Sequence, residues 1–241
     1  MRFSVELLLE NDRIPKDKNR IILSIMKSCF SSFSEQYYKE RYELNKNLIK
    51  EFTFSLYMGN CKFLREEILI PDKKIYLNFS AYKIEDGIMF YNSFLNKKGK
   101  EYSVKNNMIK IGKIVMKKEK TIFNDEAIFK AMSPIVVREH NGDNKKTWYH
   151  SLSSKKGQDF FINNLKKQLK NVFGERVVDF EDIFIEVSKN NKEVKVKNYE
   201  IEVLANITKI KIKAKPYILE YLYKAGIGSK RGSGFGMVEI V

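Results

Sequence analysis

The chain ends with a glycine-rich segment, Ala225 to Gly236, which reads AGIGSKRGSGFG. Five of the twelve glycines of the chain fall within it. They include two Gly-apolar-Gly triplets, whose glycines leave backbone N–H groups uncovered by side chains. Two cations stand between the triplets. Uncovered amides beside cations predict a surface for an anion, with these contact residues: Gly226, Gly228, Lys230, Arg231, Gly234 and Gly236.

The segment does not match the common mononucleotide-binding motifs. It lacks the Gly-x-x-x-x-Gly-Lys-Ser/Thr order of a P-loop and the Gly-x-Gly-x-x-Gly order of a dinucleotide fold. It also follows a helix-like run, Pro216 to Lys224, whereas those motifs follow a strand. Mononucleotide binding is therefore disfavoured. A glycine-rich turn that leads into a last strand, Phe235 to Val241, remains an alternative explanation.

Composition bounds the class of protein and its partners. An apolar content of 43% in 241 residues excludes global disorder and provides for a buried core. A net charge of +15 favours a polyanionic partner, bound in a salt-dependent way. A lysine-rich composition can also reflect an AT-rich genome, so the charge alone leaves nucleic-acid binding open.

The cysteines and the apolar runs indicate which bound groups and which cellular compartment to expect. Cys29 and Cys61 lie far apart, with no Cys or His at metal-binding spacing, so we expect no disulfide framework, metal or cofactor. No apolar run approaches the roughly 18 residues of a transmembrane helix. Met1 to Glu6 reads as a strand and not as a signal peptide. We expect a soluble, cytoplasmic protein with no membrane partner.

Hydrophobic periodicity predicts strand, helix, strand, strand, helix, strand in the first half. The predicted strands are Met1 to Leu9, Phe52 to Met58, Lys73 to Ala81 and Met108 to Met116. The predicted helices are Ile21 to Phe30, with Asp17 as a candidate cap, and Ile84 to Lys98. This order is the ferredoxin-like βαββαβ unit.

The second half repeats the order. Its predicted elements are a strand over Ala127 to Arg138 interrupted at Pro134, a helix over Lys155 to Phe173, strands over Ile183 to Val187 and Asn198 to Lys213, the helix Pro216 to Lys224, and the last strand. Whether residues 203–213 form one long strand or a bent pair is left open. We predict an α+β protein with two tandem ferredoxin-like (βαββαβ) domains, residues 1–120 and 127–241, the second containing the glycine-rich segment.

Three separated motifs resemble a known family. The glycine-rich segment after a tandem ferredoxin-like pair is similar to that of the repeat-associated RAMP superfamily. Within it, Phe52 to Ser55 (FTFS) and Met132 to Val137 (MSPIVV) resemble the Cas6 family of CRISPR-associated endoribonucleases, as does the opening Met1 to Phe3. The resemblance runs from end to end of the chain, and the motifs occur in the family's order.

The resemblance implies an endoribonuclease, independent of metal, that cuts precursor CRISPR RNA into guide RNAs. Attack of a ribose 2′-OH on the adjacent phosphate would leave a 2′,3′-cyclic phosphate and a 5′-OH. Relatives supply a Tyr on the first helix, a His shortly before the second strand and a Lys just before that strand. Here Leu23 stands near the Tyr position and no His occurs in residues 39–43. The remaining catalytic candidates are Lys50, which matches the Lys, and Tyr42, Tyr38, Tyr37 and Lys46.

The missing histidine leaves two functions open. Tyr and Lys side chains can hold the RNA in line and stabilise charge, since positioning supplies much of a phosphoryl-transfer barrier. Alternatively, the chain is a non-catalytic repeat-binding subunit of a CRISPR interference complex. A ferredoxin-like RNA-binding module unrelated to CRISPR is a more remote alternative. The implied partners are CRISPR repeat RNA and other Cas proteins, and the choice between monomer and homodimer is open.

Further RNA contacts are predicted in the second half. Lys209, Lys211 and Lys213 alternate along one strand, which puts three ammonium groups on one face. An ordinary exposed strand face explains the same pattern. Trp148 and Tyr149 are candidate stacking partners for unpaired bases. His140 and His150 are expected to be surface residues.

Overall fold

The structure, a computed structural model, describes residues 1–39, 50–140, 147–174 and 183–241. Its strands, in chain order, are β1 Arg2–Leu9, β2 Arg13–Pro15, β3 Phe52–Tyr57, β4 Lys62–Phe63, β5 Glu67–Leu69, β6 Lys74–Ala81, β7 Glu101–Val104, β8 Asn107–Met116, β9 Glu126–Ala131, β10 Val137–His140, β11 Thr147–His150, β12 Phe184–Val187, β13 Lys192–Asn198, β14 Ile201–Ile207, β15 Lys209–Lys213 and β16 Val238–Ile240. Its helices are α1 Lys18–Phe33, α2 Glu35–Tyr38, α3 Ile84–Asn96, α4 Lys155–Phe173 and α5 Pro216–Ala225, with a 3₁₀ turn at Arg231–Ser233.

The first half is an antiparallel sheet with two helices on one face. The strand order is β3-β6-β1-β8-β7. Without the added edge strand β7, the elements β1, α1, β3, β6, α3 and β8 form the predicted βαββαβ unit. Phe3, Val5 and Leu7 alternate along β1 and are fully buried in one apolar cluster with residues of α1 and α3. The opposite face of β1 is also covered, since Arg2 and Ser4 are nearly buried.

The second half repeats this topology. The order β12-β15-β9-β16 matches the order of the corresponding strands in the first sheet. Helices α4 and α5 contribute Leu165, Leu169, Leu219 and Leu222 to a second buried apolar cluster. The predicted α+β fold with two ferredoxin-like units is therefore confirmed. The division at residues 120 and 127 stays a prediction.

Two predicted strands are each divided in the structure, the first around the interruption predicted at Pro134 and the second within residues 203–213, which the sequence left open. The strand expected over Ala127 to Arg138 ends at Ala131, and β10 pairs instead with β11. The strand expected over Asn198 to Lys213 is two strands, of which β14 pairs with the unpredicted β13 and β15 joins the second sheet. Asn206 explains the break, since it exchanges backbone hydrogen bonds with Ile135 and its side chain accepts one from the Leu152 amide.

Asp17 occupies the N-cap position of α1, but its side chain does not cap that helix. Its Oδ2 accepts a hydrogen bond of 2.9 Å from the Tyr199 amide, in the turn between β13 and β14. Asp17 therefore does not cap α1 as predicted, and its side chain instead joins the two halves of the chain.

The three motifs that carry the family resemblance meet in space. Thr53 Oγ1 on β3 donates to the Phe235 carbonyl at 2.8 Å, and both residues are buried. The Gly236 amide donates to the Pro134 carbonyl at 2.9 Å, and the Ser229 amide to the Val136 carbonyl at 2.8 Å. The glycine-rich segment is therefore the joint between the first sheet and the MSPIVV segment.

The joint extends across the open face of the first sheet. Arg2 Nη2 donates to the Val238 carbonyl at 2.9 Å, and the Arg2 guanidinium lies 4.2 Å from the centroid of the Tyr223 ring. Ser80 Oγ donates to the Lys224 carbonyl at 2.7 Å. These bonds explain why the polar face of β1 and β6 is buried.

No helix in the described ranges is long and apolar enough to cross a membrane.

Replacing Gly236 with alanine tests the joint. The residue has φ +69°, and a Cβ atom there would overlap the Ile227 carbonyl oxygen. Gly236→Ala is expected to lower the free energy of unfolding by at least about 3 kcal/mol, through overpacking and a left-handed backbone. Denaturant unfolding measures it. The matched control is Gly99→Ala, at φ +80° with no atom near the added Cβ, which should cost only about 1 kcal/mol. Equal losses would contradict the close packing.

Candidate nucleic-acid interface

A cavity of about 750 Å³ lies where α1, the start of β3, α4 and the glycine-rich segment approach one another. The first half contributes Leu23, Met26, Lys27 and Phe30 from α1, together with Lys50 and Phe52. The second half contributes Arg138, residues of α4, Tyr199 and Gly228 to Ser233. Both halves are therefore needed to form the cavity.

The charged side chains that line the cavity all have the same sign. They are Lys27, Lys50, Arg138, Lys167, Lys230 and Arg231. No Asp or Glu lines it within the described ranges. A cleft with charges of one sign and low-dielectric walls concentrates the potential and attracts the opposite charge. This geometry suits a polyanion.

Apolar residues of the first half lie beneath the cationic lining. Leu23, Met26 and Phe30 reach the cavity from α1, Phe52 from β3 and Phe90 from α3. The Phe30 and Phe90 rings stack with centroids 4.7 Å apart, and the Phe52 and Phe90 centroids are 5.0 Å apart. All except Leu23 belong to the buried core of the first half, so the cavity is built on a packed aromatic core.

Arg231 is buried and not the exposed cation that the sequence led us to expect. Only 6% of it is exposed, and its Nη1 donates to the Tyr221 hydroxyl at 3.2 Å and to the carbonyls of Ala225 and Gly226 at 3.4 Å each. Gln168 Nε2 on α4 donates to the same hydroxyl and to the Gly226 carbonyl. Arg231 therefore ties the segment to α4 and α5, and its contact with RNA stays a prediction.

Lys230 points into the cavity region and is half-buried. Its Nζ lies 5.9 Å from the centroid of the Tyr149 ring. Burial lowers the pKa of the Lys230 ammonium, and the nearby Arg138 guanidinium lowers it further. An anion at this site would relieve both effects.

The four glycines of the triplets are covered by protein. A Cβ on Gly228 would lie 2.8 Å from the Val136 carbonyl oxygen, and one on Gly226 would lie 2.8 Å from the Gly236 carbonyl oxygen. Gly234 is packed against Phe54 in the same way. Close packing accounts for the glycines without a ligand, so their contact with RNA stays a prediction.

The three lysines of β15 lie elsewhere. Ile210 and Ile212 face the buried cluster, so Lys209, Lys211 and Lys213 occupy the other face of the second sheet. Lys211 pairs with Glu126 at 3.0 Å and Lys213 with Asp125 at 3.9 Å. None of them lines the 750 Å³ cavity. They form a separate surface, and RNA binding there stays a prediction.

Of the five catalytic candidates, the structure places one in the cavity. Lys50 is half-buried and lines it, immediately before β3. Tyr42 and Lys46 lie outside the described residues. Tyr37 and Tyr38 belong to α2, and their side chains also lie outside the description.

Neither histidine lines the cavity. His150 Nε2 is 2.7 Å from Glu139 Oε2, and its ring stacks on Phe160 with centroids 5.0 Å apart. This hydrogen bond, despite some desolvation, lowers the pKa of Glu139. His140 is exposed and lies 3.1 Å from the Thr147 hydroxyl. Of the two aromatic residues beside His150, Trp148 is 43% exposed and Tyr149 contacts Lys230.

Several cavity residues were not predicted from the sequence. Lys167 has a recognisable signal, because it lies opposite the predicted apolar face of α4, Phe161, Leu165 and Leu169. Arg138 and Tyr199 have none, since they reach the cavity through two hairpins that the pattern did not reveal. Within the described ranges, no three His, Cys, Asp or Glu side chains group closely enough to hold a metal ion.

Arg231→Lys tests the buried guanidinium. It is expected to lower the free energy of unfolding by about 1 to 2 kcal/mol, because the Ala225 carbonyl loses the Arg231 donor, and the Tyr221 hydroxyl and the Gly226 carbonyl keep only Gln168. The neighbouring Lys230→Gln should change it by no more than about 0.5 kcal/mol. Thermal and denaturant unfolding of both variants measure the difference. An Arg231→Lys variant as stable as the parent would show that the guanidinium does not hold the segment.

Arg138→Gln tests the charge coupling in the cavity. Removing this cation is expected to raise the pKa of Lys230 towards, but not up to, its ordinary value, because the desolvation by burial remains. Lys230 would then keep its proton to higher pH. NMR titration of isotopically methylated lysines measures the pKa, and Lys167→Gln serves as a control that should leave it unchanged. An unchanged pKa in Arg138→Gln would contradict the coupling.

Several solved structures of other proteins resemble this chain over its whole length. A structure described as a Cas6-related gene from Pyrococcus furiosus has a TM-score of 0.84 at 22% identity, covering 100% of this chain and 98% of that one. A RAMP protein described as binding different RNA substrates has a TM-score of 0.82 at 22% identity, covering 100% and 99%. A CRISPR associated protein Cas6 has a TM-score of 0.76 at 24% identity, covering 100% and 99%. These likenesses establish a shared fold.

A search of curated protein sequences found no significant match. The sequence model of one family, described as CRISPR associated protein Cas6, C-terminal, matches residues 116–240. This match spans more than half of the chain, and it includes the MSPIVV motif as well as Arg138, α4 and the glycine-rich segment, which line the cavity. The chain therefore belongs to the Cas6 family of CRISPR-associated proteins.

Proposed function

We propose that this protein binds CRISPR repeat RNA and cuts precursor CRISPR RNA into guide RNAs without a metal ion. The observation that carries the proposal is the cavity between the halves, which six cations and no described carboxylate line. Lys50, the residue matching the family's lysine, is one of the six. The RAMP neighbour described as binding different RNA substrates shares the fold and supports RNA as the anion.

Cleavage by transesterification fits these groups. The ribose 2′-oxygen forms a bond to the adjacent phosphorus, the bond from phosphorus to the 5′-oxygen breaks, and a 2′,3′-cyclic phosphate and a 5′-OH result. The proton of the 2′-OH passes to a water molecule, and the departing 5′-oxygen takes up a proton from the Lys230 ammonium. The phosphorane gains negative charge on the way, and fixed cations stabilise that charge most strongly in a site shielded from water.

Two lysines have distinct parts in this proposal. Lys50 binds the non-bridging oxygens of the scissile phosphate and stabilises the developing charge. We assign Lys230 the role of proton donor to the departing oxygen, because it lines the same cavity as Lys50 and burial lowers the pKa of its ammonium below the ordinary value. Tyr37, Tyr38, Tyr42 and Lys46 stay candidates for activating or orienting the 2′-OH.

A non-catalytic role is the second candidate. Leu23 lines the cavity at the position on α1 where relatives carry a tyrosine, and Leu cannot transfer a proton. Neither histidine lines the cavity. On this alternative, the protein holds the repeat RNA as a subunit of an interference complex and leaves it intact.

We further propose that the protein works in the cytoplasm, with precursor CRISPR RNA as its substrate and other Cas proteins as recipients of the product. Monomer and homodimer are both compatible with the proposal, because residues of one chain complete the cavity.

The first experiment incubates the protein with repeat RNA in EDTA, beside the same RNA carrying a 2′-deoxy nucleotide at the cleaved position. We expect the unmodified RNA to give a cyclic phosphate and the deoxy RNA to be bound but intact, because the attacking oxygen is missing. Gel analysis and mass spectrometry of the products decide it. Binding of both RNAs without cleavage would support the binding subunit, and cleavage that EDTA abolishes would contradict metal independence.

Lys50→Ala is expected to reduce the single-turnover cleavage rate roughly 100-fold, the usual cost of removing one group that stabilises transition-state charge. RNA affinity should fall much less. Lys98→Ala is the control, since Lys98 is exposed, just after α3, and does not line the cavity. A Lys50→Ala variant that cuts at the parental rate would remove Lys50 from the mechanism.

A further inference from the structure

The cavity holds an aromatic residue that the proposed chemistry does not use, Tyr199. We propose that its ring stacks on one unpaired nucleobase beside the scissile phosphate, so that the enzyme cuts only where that base is free. This inference rests on the proposed function and adds a determinant of specificity to it.

Tyr199 is placed to meet a base. It lines the same cavity as Lys50 and Lys230, yet 54% of it is exposed. It comes from the turn between β13 and β14 in the second half, and it faces the cavity that α1 of the first half also lines. Base–aromatic stacking requires an accessible ring face of this kind.

The backbone at this turn adopts a conformation that Tyr disfavours. Tyr199 has φ +52° and the next residue, Glu200, has φ +68°. Two-residue hairpin turns with positive φ at both positions strongly favour Asn and Gly. A bulky residue held there is strained, and such strain persists mainly at functional sites. The turn itself would be more stable without the ring, which points to a role for the ring.

Four contacts hold the turn against the first half. The Tyr199 amide donates to Asp17 Oδ2 at 2.9 Å, and Arg20 Nη1 lies 3.4 Å from Glu200 Oε1. Lys197 Nζ on β13 lies 3.1 Å from Glu66 Oε2. The Arg20 guanidinium also lies 5.7 Å from the centroid of the Tyr199 ring. The ring is therefore presented from a fixed backbone, which reduces the entropy lost on stacking.

The lining of the cavity matches the two parts of a nucleotide. Half-buried Leu23 and the exposed Tyr199 ring offer apolar surface, whereas Arg138 and Lys230 offer cations. A base stacked on the Tyr199 ring leaves its phosphate free to meet these cations. A paired and stacked base has no free face, so the site requires an unpaired one.

The experiment uses repeat RNAs with fluorescent 2-aminopurine at either of the two nucleotides that flank the scissile phosphate. The parent protein is expected to quench one of them on binding, since stacking on an aromatic ring quenches this base. Tyr199→Phe should keep the quenching. Tyr199→Leu and Tyr199→Asn should lose it and weaken binding roughly 10-fold, the equivalent of one stacked base.

Stability separates stacking from a structural role. Tyr199→Asn suits the left-handed backbone, so its melting temperature should equal or exceed that of the parent while its RNA binding falls. If Tyr199 only supported the fold, Tyr199→Asn would lower the melting temperature and the RNA binding together. Tyr57→Leu is the matched control, because Tyr57 is 62% exposed on β3 and does not line the cavity.

The outcomes distinguish the two proposals. A parent protein that neither binds nor cuts repeat RNA overturns the proposed function and this inference with it. A parent that binds and cuts, with quenching and affinity unchanged in Tyr199→Leu and Tyr199→Asn, overturns the inference alone. Quenching that Tyr199→Phe retains, and that only the variants without a ring lose, supports it.

Discussion

The contact of Gly236 with the Ile227 carbonyl is the constraint on which the rest of the structure depends. It lets the glycine-rich segment fold back on itself, with the Ile227 amide donating to the Gly236 carbonyl at 2.8 Å. The folded segment fills the junction between the first sheet and the MSPIVV segment. Thr53 donates a hydrogen bond to the folded segment, and the carbonyls of Pro134 and Val136 accept hydrogen bonds from it. The cavity lies beside that junction, so its position depends on the close packing of the glycine-rich segment.

The same junction decides which cations face the cavity. Arg231 turns inward and is held by neutral partners, the Tyr221 hydroxyl and two carbonyls. Lys230 remains at the cavity wall, where Arg138 repels it and burial desolvates it. Concentrating like charges costs folding free energy, and the charged side chains that line the cavity within the described ranges are all cations. A bound polyanion lowers that cost, which is the physical basis for proposing the cavity as a site for RNA.

The sequence predicted the two βαββαβ units because each depends on local periodicity, such as Phe3, Val5 and Leu7 along β1. It left open whether residues 203–213 form one strand or two, because the break between β14 and β15 depends on the hydrogen bonds of Asn206 to Ile135, a residue far away in the chain. The residues of the cavity differ in the same respect: local sequence predicts some of them, and long-range contacts place the others. Lys50 follows from its place before β3, whereas Arg138 and Tyr199 reach the cavity on hairpins that periodicity does not reveal. Charge alone also could not show that Arg231 is buried, since burial depends on long-range packing.

The bonds that join the halves have one property in common. Arg2, Thr53 and Ser80 of the first half all donate to main-chain carbonyls of the second, those of Val238, Phe235 and Lys224. A carbonyl acceptor is present whatever side chain the residue carries. The second half can therefore change its side chains at these positions without losing its docking on the first. The proposed RNA-facing surface, built on such a joint, is free to diverge with its ligand while the relative placement of the two sheets is retained.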